Sequence, residues 1–267
     1  MLRLAIRVTE GDADVVLAEL LQYSPDGLEQ VDGSGWTEYA IYGAPGELPS
    51  LPDLETIIGG VRVEVSTSEV EDGWEERWRE FHKPLVVDGR LRVRPPWEPI
   101  GDEAHDLVVD PGRAFGTGAH PTTSLCLELL LDEEPAGSLL DLGCGSGVIA
   151  ILAARLGFAP VLAADYDQLS VEATAANALV NGVELDVSKL DLRIDPLPTA
   201  DFLFANILAP VLIDLATKMG DWRPRKAMLS GLLDEQADAV IEAWSPLGYS
   251  EARRVSKGGW CALVLDV

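Results

Sequence analysis

The sequence predicts an α/β protein in two domains, a small α+β domain followed by a larger one built on a mostly parallel sheet. Three observations carry this. An apolar strand over 139–142 runs without a break into the glycine-rich turn Gly143-Cys144-Gly145-Ser146-Gly147 and then into a helix over 148–157. A second apolar strand over 161–165 ends in Asp165, and strands and helices go on alternating to residue 244. The chain has 267 residues, room for one large core and one small one.

Residues 2–8 alternate as a half-buried strand does, and Thr9-Glu10-Gly11-Asp12 has the form of a capping box. Val15, Val16, Leu17, Leu20 and Leu21 follow at helical spacing. Residues 27–32 and 36–42 read as two strands joined by Gly33-Ser34-Gly35, followed by a short helix near 51–58 and a strand over 61–65. The order over 1–66 is then βαββαβ, a ferredoxin-like arrangement that implies no function by itself.

Residues 67–95 read as an interdomain linker of one helix and one strand. Trp74, Trp78 and Phe81 fall on one helical stripe, the helix ends before Pro84, and a strand runs to Val87. From Arg77 to Arg94 there are six basic and two acidic residues, a local reversal of the chain's overall sign. An exposed strand face explains it better than an RNA contact.

The large domain occupies 96–267. Residues 106–110 form a buried strand leading into the loop 111–123, which is rich in glycine and proline at 111, 112, 116 and 118 and built to close over something, unless it is an ordinary connection. Thr122 and Thr123 are placed to cap a helix over 124–131. After the glycine turn come a helix over 167–180 stopped by Asn181-Gly182, strands over 189–194 and 201–206, and a helix over 207–219. A strand over 227–230, a helix over 235–244 and a terminal hairpin of 249–255 with 259–267 complete the chain.

Composition narrows the function. With 45 acidic and 20 basic residues the net charge is -25, which disfavours direct capture of a nucleic-acid backbone and favours a basic protein partner, unless it serves only solubility. Cys126, Cys144 and Cys261 are odd in number and share no C-x-x-C, so no disulfide framework and no metal site is expected, and the compartment is a reducing one. The start is broken by Arg3 and Arg7, and no apolar run reaches eighteen residues. The expectation is a cytoplasmic monomer without signal peptide or membrane span.

A strand that turns through glycines into a helix aims backbone N–H groups and a positive helix end at the carboxyl edge of a parallel sheet. Gly143, Gly145 and Gly147 are spaced G-x-G-x-G, not the G-x-G-x-x-G of dinucleotide sites. Asp165 stands where a ribose-binding carboxylate belongs. The ligand suggested is an adenosine without a pyrophosphate, the pattern of S-adenosylmethionine-dependent methyltransferases. In a plainer reading the glycines serve only chain reversal and Asp165 caps the next helix.

The stretch Pro111-Gly-Arg-Ala-Phe-Gly-Thr-Gly-Ala-His-Pro-Thr-Thr123, followed by Asp141-Leu-Gly-Cys-Gly-Ser-Gly147, resembles the PrmA family, methyltransferases of the ribosomal large-subunit protein L-eleven. The likeness extends over nearly the whole chain, through Trp74 and Trp78, Lys83-Pro84, Asn206-Ile-Leu-Ala209, Ser230-Gly-Leu-Leu233 with Gln236, and Trp260-Cys-Ala-Leu263. It implies a Rossmann-like seven-stranded methyltransferase domain over 96–267, S-adenosylmethionine as cofactor, and substrate recognition by the small domain. It further implies cofactor contacts at Thr123, Gly143, Asp165 and Asn206, to which Gly145 of the same turn is added; Asn206 is also the catalytic candidate, on its own chemistry.

Residue chemistry agrees. The Asn206 carbonyl can accept N–H bonds from an incoming amine and orient its lone pair, although a strand-end asparagine also caps helices. Methyltransferases of planar amides or adenine show Asn-Pro-Pro and an aromatic, whereas Ile207, Leu208 and Ala209 follow here, which suits a tetrahedral amine. Other readings are a methyltransferase of another protein lysine or a small amine, and a cofactor-binding module without turnover.

Overall fold

The computed structural model describes residues 2–20, 28–43, 55–58, 60–69, 83–110 and 121–267. The chain forms two compact units, Met1–Phe81 and His82–Val267. Residues 82–95, read as part of a linker, thus fall within the larger unit. The linker helix with Trp74, Trp78 and Phe81, and the loop residues 111–120, lie outside the described residues.

The small unit contains β1 (Leu2–Thr9), a 3-10 turn (Glu10–Asp12), α1 (Ala13–Leu20), β2 (Glu29–Gly33), β3 (Trp36–Gly43), β4 (Glu55–Ile58) and β5 (Val61–Glu69). The strands form one antiparallel sheet in the order β2-β3-β1-β5-β4. Strand alternation sends Leu4, Ile6 and Val8 to one face, where they pack with Val16, Leu20, Tyr39, Val63 and Val65. Two expectations are corrected. Thr9 does not close a capping box, because its hydroxyl donates to the Asp12 carboxylate at 2.7 Å and the chain enters α1 through a 3-10 turn. The helix placed near 51–58 is a strand over 55–58, paired antiparallel with β5 from Ile58↔Val61 to Glu55↔Glu64. Thr56, Ile57 and Ile58 are β-branched, which favours a strand over a helix. Residues 51–54 are outside the described set.

The large unit is mixed α/β. It opens with β6 (Leu85–Val87), β7 (Leu91–Arg94) and β8 (His105–Val108), which form a separate three-stranded sheet in which β7 pairs antiparallel with β6 and parallel with β8. The strand expected over 106–110 therefore stands outside the central sheet, and only Leu107 and Val109 of that stretch are buried. The described arginines of the basic run are ion-paired, Arg90 with Asp88 and Asp132, Arg92 with Glu103, and Arg94 with Asp106.

There follow α2 (Pro121–Leu131), β9 (Leu139–Leu142), α3 (Val148–Leu156), β10 (Val161–Asp165), α4 (Gln168–Asn181), β11 (Asp186–Lys189), β12 (Phe202–Asn206), α5 (Ala209–Lys218) and β13 (Lys226–Leu233). The chain ends with α6 (Ala237–Trp244), β14 (Ser250–Lys257) and β15 (Trp260–Asp266). The central sheet runs β11-β10-β9-β12-β13-β15-β14. The first five strands are parallel, and β15 and β14 close the edge as an antiparallel hairpin. Both faces are covered: Leu139, Phe202 and Phe204 pack on one side, Leu140, Leu203 and Ala205 on the other. This is why these strands read as continuous apolar runs.

Two boundaries differ from expectation. The helix read over 124–131 starts at Pro121, whose missing N–H costs nothing in a first turn, so Thr122 and Thr123 lie inside the helix. The strand read over 189–194 is β11, paired with β10 from Leu162↔Asp186 to Asp165↔Lys189. Residues 191–195 turn away from the sheet because the Asp191 carboxylate accepts the Arg193 N–H at 2.9 Å and its carbonyl accepts the Ile194 N–H at 3.0 Å. Among the described residues, no helix is long and apolar enough to cross a membrane.

Candidate active site

From β9 the chain steps outward to β10 and β11, then returns across β9 to form β12. That reversal leaves a crevice at the carboxyl ends of β9 and β12, where open α/β sheets take ligands. The glycine turn lies at this edge. Gly143, Gly145 and Gly147 adopt φ values of 73°, 54° and 80°, a region in which a side chain is strained. Space is short as well: a Cβ on Gly143 would come 2.5 Å from Ile207 Cγ2, and one on Gly147 would come 2.7 Å from Thr174 Cγ2. The turn is pinned to β10 by the N–H groups of Gly143 and Cys144, which both donate to the Ala164 carbonyl at 2.8 and 3.2 Å.

Asp165 ends β10 and is 8% exposed. Its Oδ2 accepts the Gly145 N–H and its Oδ1 the Asp167 N–H, each at 3.0 Å. Burial raises its pKa above the ordinary carboxylate range, and the two backbone N–H groups oppose that rise. Asp165 does not cap α4; Asp167 does, accepting the Leu169 N–H at 3.1 Å.

Asp141, named in the sequence only as the acid before the glycines, proves to be a buried carboxylate on β9, 1% exposed. Its Oδ2 accepts the Ala150 N–H at 3.2 Å, while Oδ1 has no partner among the described residues. Burial pushes its pKa up to about 7, and the Asp165 charge adds to the rise. The sequence signal was an acid inside the apolar strand Leu-Leu-Asp-Leu.

Thr123 lies in the first turn of α2, 1% exposed, with its hydroxyl oxygen buried and without a partner among the described residues. Cys126, three residues along the same helical face, is fully buried, and burial pushes its thiol up to about 12. The helix packs on β13 and β15.

Asn206 is half-buried at the carboxyl end of β12. It does not cap α5, whose N-cap is Leu208 without a side-chain bond. The segment after it is held by β13, since the Ile207 N–H donates to the Ser230 carbonyl at 3.0 Å. At Gly231 β13 bulges, with φ 83° and a register shift between Ser230 and Leu232. A Cβ there would lie 2.5 Å from the Ile207 carbonyl oxygen. The fold therefore gathers Gly143, Gly145, Asp165 and Asn206 at one sheet edge, with Ile207 against Gly143, and adds Asp141. Among the described residues, no group of three or more His, Cys, Asp or Glu is placed to hold a metal.

A family described as ribosomal protein L11 methyltransferase (PrmA) matches residues 51–267. A ribosomal protein L11 methyltransferase of Heliobacterium modesticaldum is 40% identical over 201 residues, 73% of this chain and 64% of that protein. One of Pseudomonas paraeruginosa is 42% identical over 205 residues, 74% of this chain and 70% of that protein. The chain thus spans about two thirds of the length of the curated relatives it matches. Among solved structures, the ribosomal protein L11 methylase of Lactobacillus delbrueckii subsp. bulgaricus superposes with a TM-score of 0.57 at 28% identity, covering 68% of this chain and 96% of that one. With the match running from residue 51 to 267, the chain belongs to the ribosomal protein L11 methyltransferase (PrmA) family.

Proposed function

We propose that the protein is an S-adenosylmethionine-dependent protein N-methyltransferase acting on ribosomal protein L11, at lysine ε-amino groups, the N-terminal α-amino group, or both. One observation supports the reading: the glycine turn after β9, Asp165 at the end of β10 and Asn206 at the end of β12 all stand at the carboxyl edge of the parallel strands. Asp165 accepts the ribose hydroxyls, Gly143 and Gly145 let the backbone approach the cofactor, and Thr123 binds its amino-acid end. The orphaned buried oxygens of Thr123 and Asp141 support this, since native proteins seldom bury polar atoms without a partner. A ligand bearing both an ammonium and a carboxylate would satisfy both.

When bound, S-adenosylmethionine supplies an electrophilic methyl group. The chain's own tasks are to align a neutral amine with it and to exclude water. At pH 7, deprotonating a lysine costs about 4.6 kcal/mol and a terminal α-amine about 1 kcal/mol. Desolvation of the incoming ammonium lowers that cost. Asn206 holds the neutral amine, already freed of its proton, through its side-chain carbonyl and keeps the nitrogen lone pair aimed at the methyl group; the C–N bond would form as the methyl–sulfur bond breaks, and the positive charge would pass to the nitrogen.

The small unit we read as a ferredoxin-like variant, βαββ and β5 with β4 added at the edge, that recognises the protein substrate. The net charge of -25 suits a basic ribosomal protein. We further propose that it works as a monomer in the cytoplasm without direct nucleic-acid contact. Incubating the protein with methyl-labelled cofactor and purified L11 tests the core of the proposal. Label should enter L11; a protein that binds the cofactor and leaves L11 unlabelled would refute the substrate.

A further inference from the structure

The glycine turn is held from behind by helix α4. Thr174, Asn177 and Asn181 are all buried and spaced three and four residues apart, so they form one polar ridge on a helix. The Thr174 hydroxyl donates to the Gly145 carbonyl at 2.9 Å and sits 3.3 Å from Cys144 Sγ. Asn177 Nδ2 donates to the Ser146 carbonyl at 2.9 Å, and its Oδ1 accepts the Asp110 N–H at 3.1 Å. Asn181 bonds elsewhere: Nδ2 donates to the carbonyls of Val108 at 2.7 Å and Asn177 at 2.8 Å, and Oδ1 accepts the Val108 N–H at 2.9 Å.

Asn177 therefore spans two segments far apart in sequence, the glycine turn at Ser146 and the end of β8 at Asp110. Peptide units are planar and trans, so anchoring the carbonyls of Gly145 and Ser146 on α4 sends the opposed N–H groups away from that helix. A glycine-rich turn has wide backbone freedom, and these two bonds remove it where the Asp165 carboxylate takes the Gly145 N–H from the other side. We propose that Asn177 is a positioning residue for cofactor binding, setting the Ser146 peptide of the glycine turn and tying that turn to the end of β8. The inference rests on the reading that this turn binds S-adenosylmethionine.

The ridge contains its own control. Asn181 makes three hydrogen bonds, none to the glycine turn, so Asn181→Ala removes scaffold and leaves the turn alone, whereas Asn177→Ala frees the turn. Binding of S-adenosylhomocysteine should be measured by calorimetry on both variants of the full chain, after circular dichroism has shown them folded. Asn177→Ala is expected to weaken binding tenfold or more and Asn181→Ala to leave it within twofold, although both lower the melting temperature. An unchanged Kd for folded Asn177→Ala, or equal weakening by the two, overturns the proposal. If Asn177→Ala does not fold, the near-isosteric Asn177→Leu fills the same space without the bond to Ser146 and carries the same test: weaker binding supports the positioning role of Asn177, and an unchanged Kd overturns it. A wild-type chain that binds no S-adenosylhomocysteine defeats the cofactor reading itself, and this inference with it.

Discussion

The Asp165 carboxylate, at the end of one strand, accepts the backbone N–H of Gly145 in the turn after the neighbouring strand, at 3.0 Å. Its second oxygen takes the Asp167 N–H, so one side chain ties the glycine turn to the start of α4.

That double role makes Asp165→Ala a sharp test. Loss of a charge-assisted bond to the ligand costs about 1.5 to 3 kcal/mol, roughly ten- to a hundredfold in affinity, and the turn loses an anchor as well. Calorimetry should show S-adenosylmethionine binding weakened by at least tenfold and no NAD binding in the parent chain. Unchanged affinity in the variant removes Asp165 from the site.

Asn206→Ala should lower the rate of methyl transfer far more than it weakens cofactor binding, because its proposed task is to orient the amine. Single-turnover rates set against cofactor affinity separate the two effects. Equal losses would make Asn206 a cofactor ligand only.

Gly231→Ala tests the support beneath Asn206. A methyl group 2.5 Å from the Ile207 carbonyl oxygen must push backbone, not a flexible side chain, and φ 83° is unfavourable for alanine. The expected cost is about 1 to 3 kcal/mol in thermal unfolding, with transfer reduced and cofactor affinity nearly intact. Transfer at the parental rate would show that the Asn206–Ile207 segment tolerates the shift.

Asp141 gives a pH dependence. Its pKa rises on folding from 3.8 to about 7 because of burial, so the folded chain holds a proton that the unfolded chain releases earlier. Stability from this group is fully present below about pH 4 and is lost as pH rises to about 7. The full loss is of the order of 4 kcal/mol. Asp141→Asn can still accept the Ala150 N–H and carries no charge. Calorimetric melting of the ligand-free protein should find the variant gaining on the parent between pH 5.5 and pH 8. Parallel pH profiles would contradict an ionising, buried Asp141.

A fragment over 82–267 contains the larger unit complete and every residue assigned to the chemistry. It should fold, bind the cofactor and methylate intact L11 much more slowly than the full chain. A folded fragment as fast as the full chain would place recognition in the larger unit.

What the sequence determined by itself is what local rules govern. Leu139–Leu142 running into three glycines required positive φ at defined positions, and Asp165 followed one strand later, so the glycine turn and the acid that meets it were legible within a single stretch of chain. The place of Asn206 was legible for the same reason, as a polar residue closing an apolar strand. Elsewhere local rules were ambiguous: the short apolar run ending in Ile57 and Ile58 suits helix or strand, and its pairing with β5 decided the matter. Asp186–Lys189 is a polar edge strand whose place is set by β10, not by its own pattern. Only the tertiary structure could set the ionisation of Asp141, which depends on a burial no neighbour in sequence imposes. The same holds for Asn177, whose partners lie 31 and 67 residues away. Hydrogen bonds and desolvation act through space, and chain distance carries no record of them.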